Sequence, residues 1–216
     1  MDSLHLAIAV APLATYMAVL GCIQLTRRPL VTTGARDLAA LGLAIGGFII
    51  VGPMELFMPQ AAAAHFGWFV WLLLLSLYGV SLSLLVLLSS PRVVIYNITW
   101  SELEPSLLKI LQEFDHEMKQ VGESFSLPNV GMQFTVEEYP TLRHLQLTST
   151  GSSQNMAGWR ALELELAEAL EALAVPPNPY GISLLLFAMT MFGVIGYFLV
   201  TDQEAVAQSL RHMLRL

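Results

Sequence analysis

Trp68–Leu88 reads WFVWLLLLSLYGVSLSLLVLL without a single charge, and only Ser89-Ser90-Pro91 separates it from Arg92–Ile98, RVVIYNI. A helix rises about 1.5 Å per residue, so roughly 20 apolar residues cross the hydrocarbon of a bilayer. Trp68–Leu88 has that length, and its opening Trp68, Phe69 and Trp71 suit a membrane interface. Arg92–Ile98 is short, β-branched and apolar, the signature of a mostly buried strand in a water-soluble domain. The chain therefore changes solvent near Pro91.

Three more windows match the first in character. Leu4–Leu25 carries no Asp, Glu, Lys or Arg, with His5 at its edge; Leu38–Met58 carries Glu55; Tyr180–Val200 carries none and opens on an aromatic. Lipid leaves open backbone groups unsatisfied, so each window is expected to be helical. Composition agrees. Hydrophobic residues make up 55% of the 216 and charged ones 12%, with a mean hydropathy of +0.62, against about 25% charged in an ordinary soluble domain. Residues 91–179 hold twelve of the seventeen acidic residues and five of the ten basic ones, a net −7, which leaves the remainder neutral. The expected fold is a four-helix, all-α transmembrane region (4–25, 38–58 and 68–88 within residues 1–90, then 180–200), with a small α+β domain inserted at 91–179.

Orientation follows from basic residues near the spans. Arg27, Arg28 and Arg36 lie in the first connector, Thr26–Asp37, and Arg92 follows the third span. This places the inserted domain in the cytoplasm and both termini outside, in a multi-pass protein of the cell (inner) membrane. Arg211 and Arg215 in the tail count against that score. Ala18-Val19-Leu20-Gly21-Cys22 loosely resembles a lipoprotein cleavage site, but no basic residue precedes it. Small residues at four-residue spacing, Ala14 and Ala18, Gly42 and Gly46, Gly79 and Ser83, let helix backbones approach. Gly42, Gly46, Gly79 and Ser83 suit a protein partner or homo-oligomer, and equally the packing of the four helices on one another.

Within the inserted domain, the helical repeat of Leu103, Leu107, Ile110, Leu111, Phe114, Met118 and Val121 predicts a helix ended by Gly122, secure from Pro105. Ser101 and Glu104 form a candidate capping box one turn earlier. Met132, Phe134 and Val136 alternate with polar residues and predict a strand. Tyr139-Pro140-Thr141 turns the chain, and Leu145 and Leu147 lie on the return strand. Ser124–Leu127 is a candidate edge strand. Asn155 caps a second helix whose stripe is Trp159, Leu162, Leu166, Leu170 and Leu173, with Glu165, Glu168 and Glu171 opposite. The order β-α-β-β-α predicts a two-layer sandwich with both helices on one face. It resembles a ferredoxin-like topology lacking its last strand, a likeness that implies no function. Val175-Pro176-Pro177-Asn178-Pro179 then forms a stiff tether to the last span. An amphipathic helix is expected over 201–216, with Val206, Leu210, Met213 and Leu214 on one side.

Few residues suggest chemistry. Glu55 is the one ionisable group well within a window, and Pro53 removes a backbone donor beside it. The pair forms a candidate ion or proton site, or Glu55 simply reaches the headgroups. Glu113 and His116 share a helical face with Asp115 and Glu117 nearby, too few ligands for a metal site. Asn97-Ile98-Thr99 matches a glycosylation sequon inside the expected strand. Nucleotide-binding, zinc-protease and nucleophile-elbow motifs are lacking, so no cofactor, metal or enzymatic activity is expected. The acidic domain disfavours nucleic acid. These readings favour a non-enzymatic regulatory or assembly subunit in the lipid bilayer. The alternative is an oligomeric channel or transporter subunit with Glu55 near the pathway.

Overall fold

The computed structural model describes residues 3–54, 56, 65–151 and 154–214. Among the described residues four helices are long and apolar enough to cross a membrane: α1 (Ser3–Leu25), α2 (Gly34–Ile49), α3 (Phe69–Leu88) and a later helix, Tyr180–Thr201. A π-helical turn, Ile50–Met54, continues α2. Many of their large side chains find no protein partner surface: Leu73, Leu87 and Val200 are 70%, 80% and 71% exposed. In water such a surface would drive association.

The chain divides into two bodies. One comprises Met1–Val19, Ala39–Leu87 and Leu184–Leu216, the other Leu20–Leu38 and Leu88–Ser183. In the first body Gly42, Gly46 and Gly47 are used within the chain. A Cβ at Gly47 would sit 2.0 Å from the carbonyl oxygen of Ile8, so α1 and α2 meet backbone to backbone there. Gly42 lies against Leu82 and Gly46 against Tyr78 on α3, and the Tyr78 hydroxyl donates to the Gly42 carbonyl at 2.6 Å. Gly79 meets nothing within 4 Å, and the Ser83 hydroxyl bonds back to its carbonyl.

The second body is built on a six-stranded antiparallel sheet. Its strands are β1 (Leu30–Thr33), β2 (Arg92–Tyr96), β3 (Lys119–Val121), β4 (Ser124–Leu127), β5 (Met132–Tyr139) and β6 (His144–Ser149), in the order β1-β2-β6-β5-β4-β3. Helices α4 (Trp100–Phe114) and α5 (Met156–Glu171) share one face, packing Leu103, Leu107, Leu111, Leu162 and Leu166 on Val93, Ile95, Phe134, Leu145 and Leu147. Phe134 is fully buried, stacked on Phe125 at 5.3 Å and edge-on to Trp159 at 5.8 Å. Asn155 caps α5 as its sequence position indicates, accepting the Ala157 N–H at 3.0 Å. Two further helices are α6, the Tyr180–Thr201 span, and α7, Gln203–Leu214. The Ser3 hydroxyl bonds the Asp202 carboxylate between them at 2.9 Å.

Three sequence expectations need correction. The first connector is no loop, because Leu30–Thr33 pairs residue by residue with Tyr96–Val93. It occupies the place beside β2 where the missing last strand of a ferredoxin-like sheet would lie. Next, α4 ends at Phe114 rather than continuing to Gly122. The buried Asp115 accepts the Glu117 N–H at 2.9 Å and the Asn129 N–H at 2.8 Å, which turns the chain out of the helix. Met118 falls beyond the helix and Val121 on β3, and Gly122, with φ +61°, makes the tight turn from β3 into β4. β4 is accordingly an inner strand and β3 the edge. Finally, α4 begins before Pro105, and its reciprocal cap uses Glu102, which accepts the Thr99 N–H at 2.9 Å, in place of Ser101 and Glu104.

Candidate functional site

Of the residues singled out from sequence, Glu55 lies outside the described residues. Pro53 is exposed within the π-helical turn Ile50–Met54. Such a turn breaks the i to i−4 ladder and often marks functional positions. Glu113 and His116 do not share a helix face, since α4 stops between them. Asp115 is spent on its turn, where burial pushes the carboxyl up but the N–H groups of Glu117, Asn129 and Val130 hold it below the ordinary range. Asn97 of the sequon is fully buried, so its amide is closed to a modifying enzyme in the folded chain.

The structure brings together residues that were read apart. Gln24, at the end of α1, and Asn178, in the Pro-rich tether, are both buried. The Asn178 Nδ2 donates to the Gln24 Oε1 at 2.7 Å, and the Gln24 Nε2 donates in turn to the Leu142 carbonyl. Backbone bonds run beside them, from the Asn178 N–H to the Gln24 carbonyl at 2.8 Å and from the Val175 N–H to the Arg27 carbonyl at 3.0 Å. Asn178 also caps α6 by accepting the Tyr180 N–H at 3.1 Å. Asn97, at the end of β2, donates its Nδ2 to the Thr26 carbonyl at 2.7 Å. This junction gathers α1, the first connector, β2, the β5–β6 turn and the start of α6 into one buried polar cluster. Each amide makes at least one bond to backbone, while the buried Asn97 Oδ1 finds no partner among the described residues.

Backbone strain lies next to it. Asn97 has φ +60° and Arg143 φ +45°, a region costly for residues with a Cβ, and the Ile98 N–H bonds the Arg143 carbonyl at 2.9 Å. Arg143 is held by both carboxylate oxygens of Glu102, at 2.9 and 2.7 Å. Burial raises the Glu102 carboxyl, but the Thr99 N–H and the Arg143 guanidinium outweigh it and leave the group below its ordinary value.

The sheet face opposite the helices carries a second polar group. Strand alternation sends Arg92, Tyr96, His144 and Gln146 to this side. His144 stacks between Tyr96 at 4.7 Å and Tyr139 at 5.5 Å. The Tyr96 hydroxyl donates to Asp37, and Arg92 reaches the same carboxylate at 4.0 Å. Burial pushes the His144 imidazole below its usual value, Asp37 opposing and Arg92 adding to the fall. Sequence reasoning missed both groups. Gln24 lies in the first apolar window, Asp37 in the first connector and Asn178 in the Pro-rich tether, and no local pattern links them.

Comparison with protein-family models, with curated proteins and with solved structures finds no match for this chain.

Proposed function

We propose that this chain is a multi-pass membrane protein, a non-enzymatic subunit that regulates or assembles a complex through its sheet domain. The observation that carries the reading is the junction of Gln24, Asn97 and Asn178 together with β1. These contacts make the ends of two long apolar helices part of the sheet body itself. A shift of either helix end is then felt directly by β2 and the β5–β6 turn, and a partner held on the sheet is felt by the helix ends. The pairing of β1 with β2 supports the first connector and the domain lying on one side of the bilayer. Arg27, Arg28 and Arg36 favour the cytoplasmic side of the cell membrane, with both termini outside. The open face around Gly79 and Ser83 remains available for a second helix.

A second reading rests on the π-helical turn. Pro53, which has no backbone donor, lies within Ile50–Met54 two residues before Glu55 in sequence, which suits an oligomeric channel or transporter subunit. Two experiments separate the readings. Affinity capture of the intact chain from its native membrane in mild detergent should retain a protein at fixed stoichiometry. A chain whose residues 91–176 are replaced by a flexible linker should lose it. The subunit reading fails if the purified chain alone carries ion flux across liposomes and Glu55→Gln abolishes that flux.

A further inference from the structure

The sheet has two open edges, β1 and β3. β3 is three residues long and carries Lys119, whereas β1 contains neither charge nor proline. Proteins usually blunt an edge with such residues, because bare backbone groups pair with any extended chain. Among the described residues, Leu30–Thr33 make no backbone hydrogen bond beyond the ladder to β2. Alongside β1 runs a groove of about 830 Å³, whose other wall is the outer face of α5. That wall sets Glu165, Glu168 and Glu171 around Leu164, which is 69% exposed, and Leu30 on the strand side is 43% exposed. Arg28 is the only cation among the described lining residues, so the groove is net negative. Arg36 of the same connector is already engaged by Glu163 at 3.0 Å.

We propose that this groove docks an extended segment of a partner protein in which basic residues alternate with apolar ones. The segment adds as a strand to β1, sets its cations against Glu165, Glu168 and Glu171 on the α5 side, and lays its apolar residues beside Leu30, which its pairing with Tyr96 turns to the other face of the sheet. Main-chain hydrogen bonds to the edge supply binding that any extended chain shares, and the side chains supply selection. A strand turns alternate residues to the same side, which is why the two residue classes must alternate. Three carboxylates repel an acidic peptide or an anionic lipid surface, so charge decides among occupants. The proposal rests on reading the chain as a binding subunit and names that partner's contact chemistry.

The test uses the full chain in phosphatidylcholine nanodiscs and a fluorescein-labelled, end-blocked peptide of alternating Lys and Val, read by fluorescence anisotropy. The peptide should bind saturably. In the triple variant Glu165→Gln, Glu168→Gln, Glu171→Gln, whose positions are all exposed, the Kd should rise about tenfold, as three ion pairs at an interface rim would give. A peptide with alternate backbone nitrogens methylated keeps its charge and loses its donors, and should also bind about tenfold more weakly. Equal binding of the methylated peptide, equal binding by the triple variant, or no binding at all overturns the proposal. If the peptide fails while the intact chain still captures a stoichiometric partner, the groove alone is wrong. If both fail, the binding-subunit reading falls with it.

Discussion

Replacing Asn178 by Ala removes the side chain that ties the tether to α1. The deletion takes away the donation to Gln24 at 2.7 Å and the acceptance from the Tyr180 N–H at 3.1 Å, with a weaker contact to the Thr141 carbonyl at 3.3 Å. At about 1 kcal/mol for each good bond, the junction loses roughly 2 kcal/mol, and more if the buried Gln24 oxygen finds no water. An opening equilibrium shifted by that amount changes about 30-fold. The change is readable by hydrogen exchange on the intact chain in detergent, at the Val175 and Asn178 amides bonded to Arg27 and Gln24. Both should exchange about 30-fold faster in the variant, while amides of β5 and β6 keep their protection. Gln24→Ala should produce a similar effect, and the double variant less than the sum, because the two side chains share one bond. Protection at Val175 and Asn178 unchanged within threefold would refute the claim that this junction is closed by the Gln24–Asn178 pair.

Other outcomes follow from the same geometry. Phe134→Ala, between Phe125 and Trp159 in the sheet core, should destabilise the domain by about 3–5 kcal/mol, seen as lost cooperative unfolding by Trp fluorescence. Gly47→Ala should weaken the α1–α2 contact, since its Cβ meets the Ile8 carbonyl. Gly79→Ala, with open space around it, should leave thermal stability in detergent unchanged. His144 carries a depressed pKa in the folded chain, so the unfolded chain binds the extra proton first as pH falls. Domain stability should therefore be full above about pH 6.5 and decline below it, and His144→Gln should flatten that decline in thermal scans between pH 7.5 and 5.5. Arg143→Met should cost about 1–2 kcal/mol at neutral pH, the partial exposure of both partners discounting the charged hydrogen bonds to Glu102, measured by denaturant titration.

What could be read from residues alone was periodic and local. Each of the four apolar windows holds a long apolar helix, and the end of the second, Met58, lies outside the described residues. The alternation at Met132, Phe134 and Val136 and the stripe from Trp159 to Leu170 describe β5 and α5, because each has one face in the core. β1 was invisible for the opposite reason. Leu30-Val31-Thr32-Thr33 is too short to show a period, and its partner Val93–Tyr96 lies far along the chain. β3 was hidden by coincidence, since Met118 and Val121 happen to prolong the helical repeat of α4. The signal was Asp115, a residue that favours helix ends and turns, together with a glycine placed for a hairpin. The junction depends on contacts between Gln24 and Asn178, 154 positions apart, and no local pattern encodes them. Glu55, the most conspicuous residue in sequence, lies outside the described residues.

The first connector and the sheet domain form one body, which we propose lies on the cytoplasmic side of the membrane. Single cysteines at Arg28 and at Gln120, both exposed, test it in a Cys22→Ala background treated with a membrane-impermeant maleimide. The account predicts that neither position is labelled in intact cells and that both are labelled after permeabilisation. Labelling in intact cells would contradict it: both positions labelled would place the body outside, and one labelled alone would break the single sheet, whose halves cannot lie on opposite sides of a bilayer.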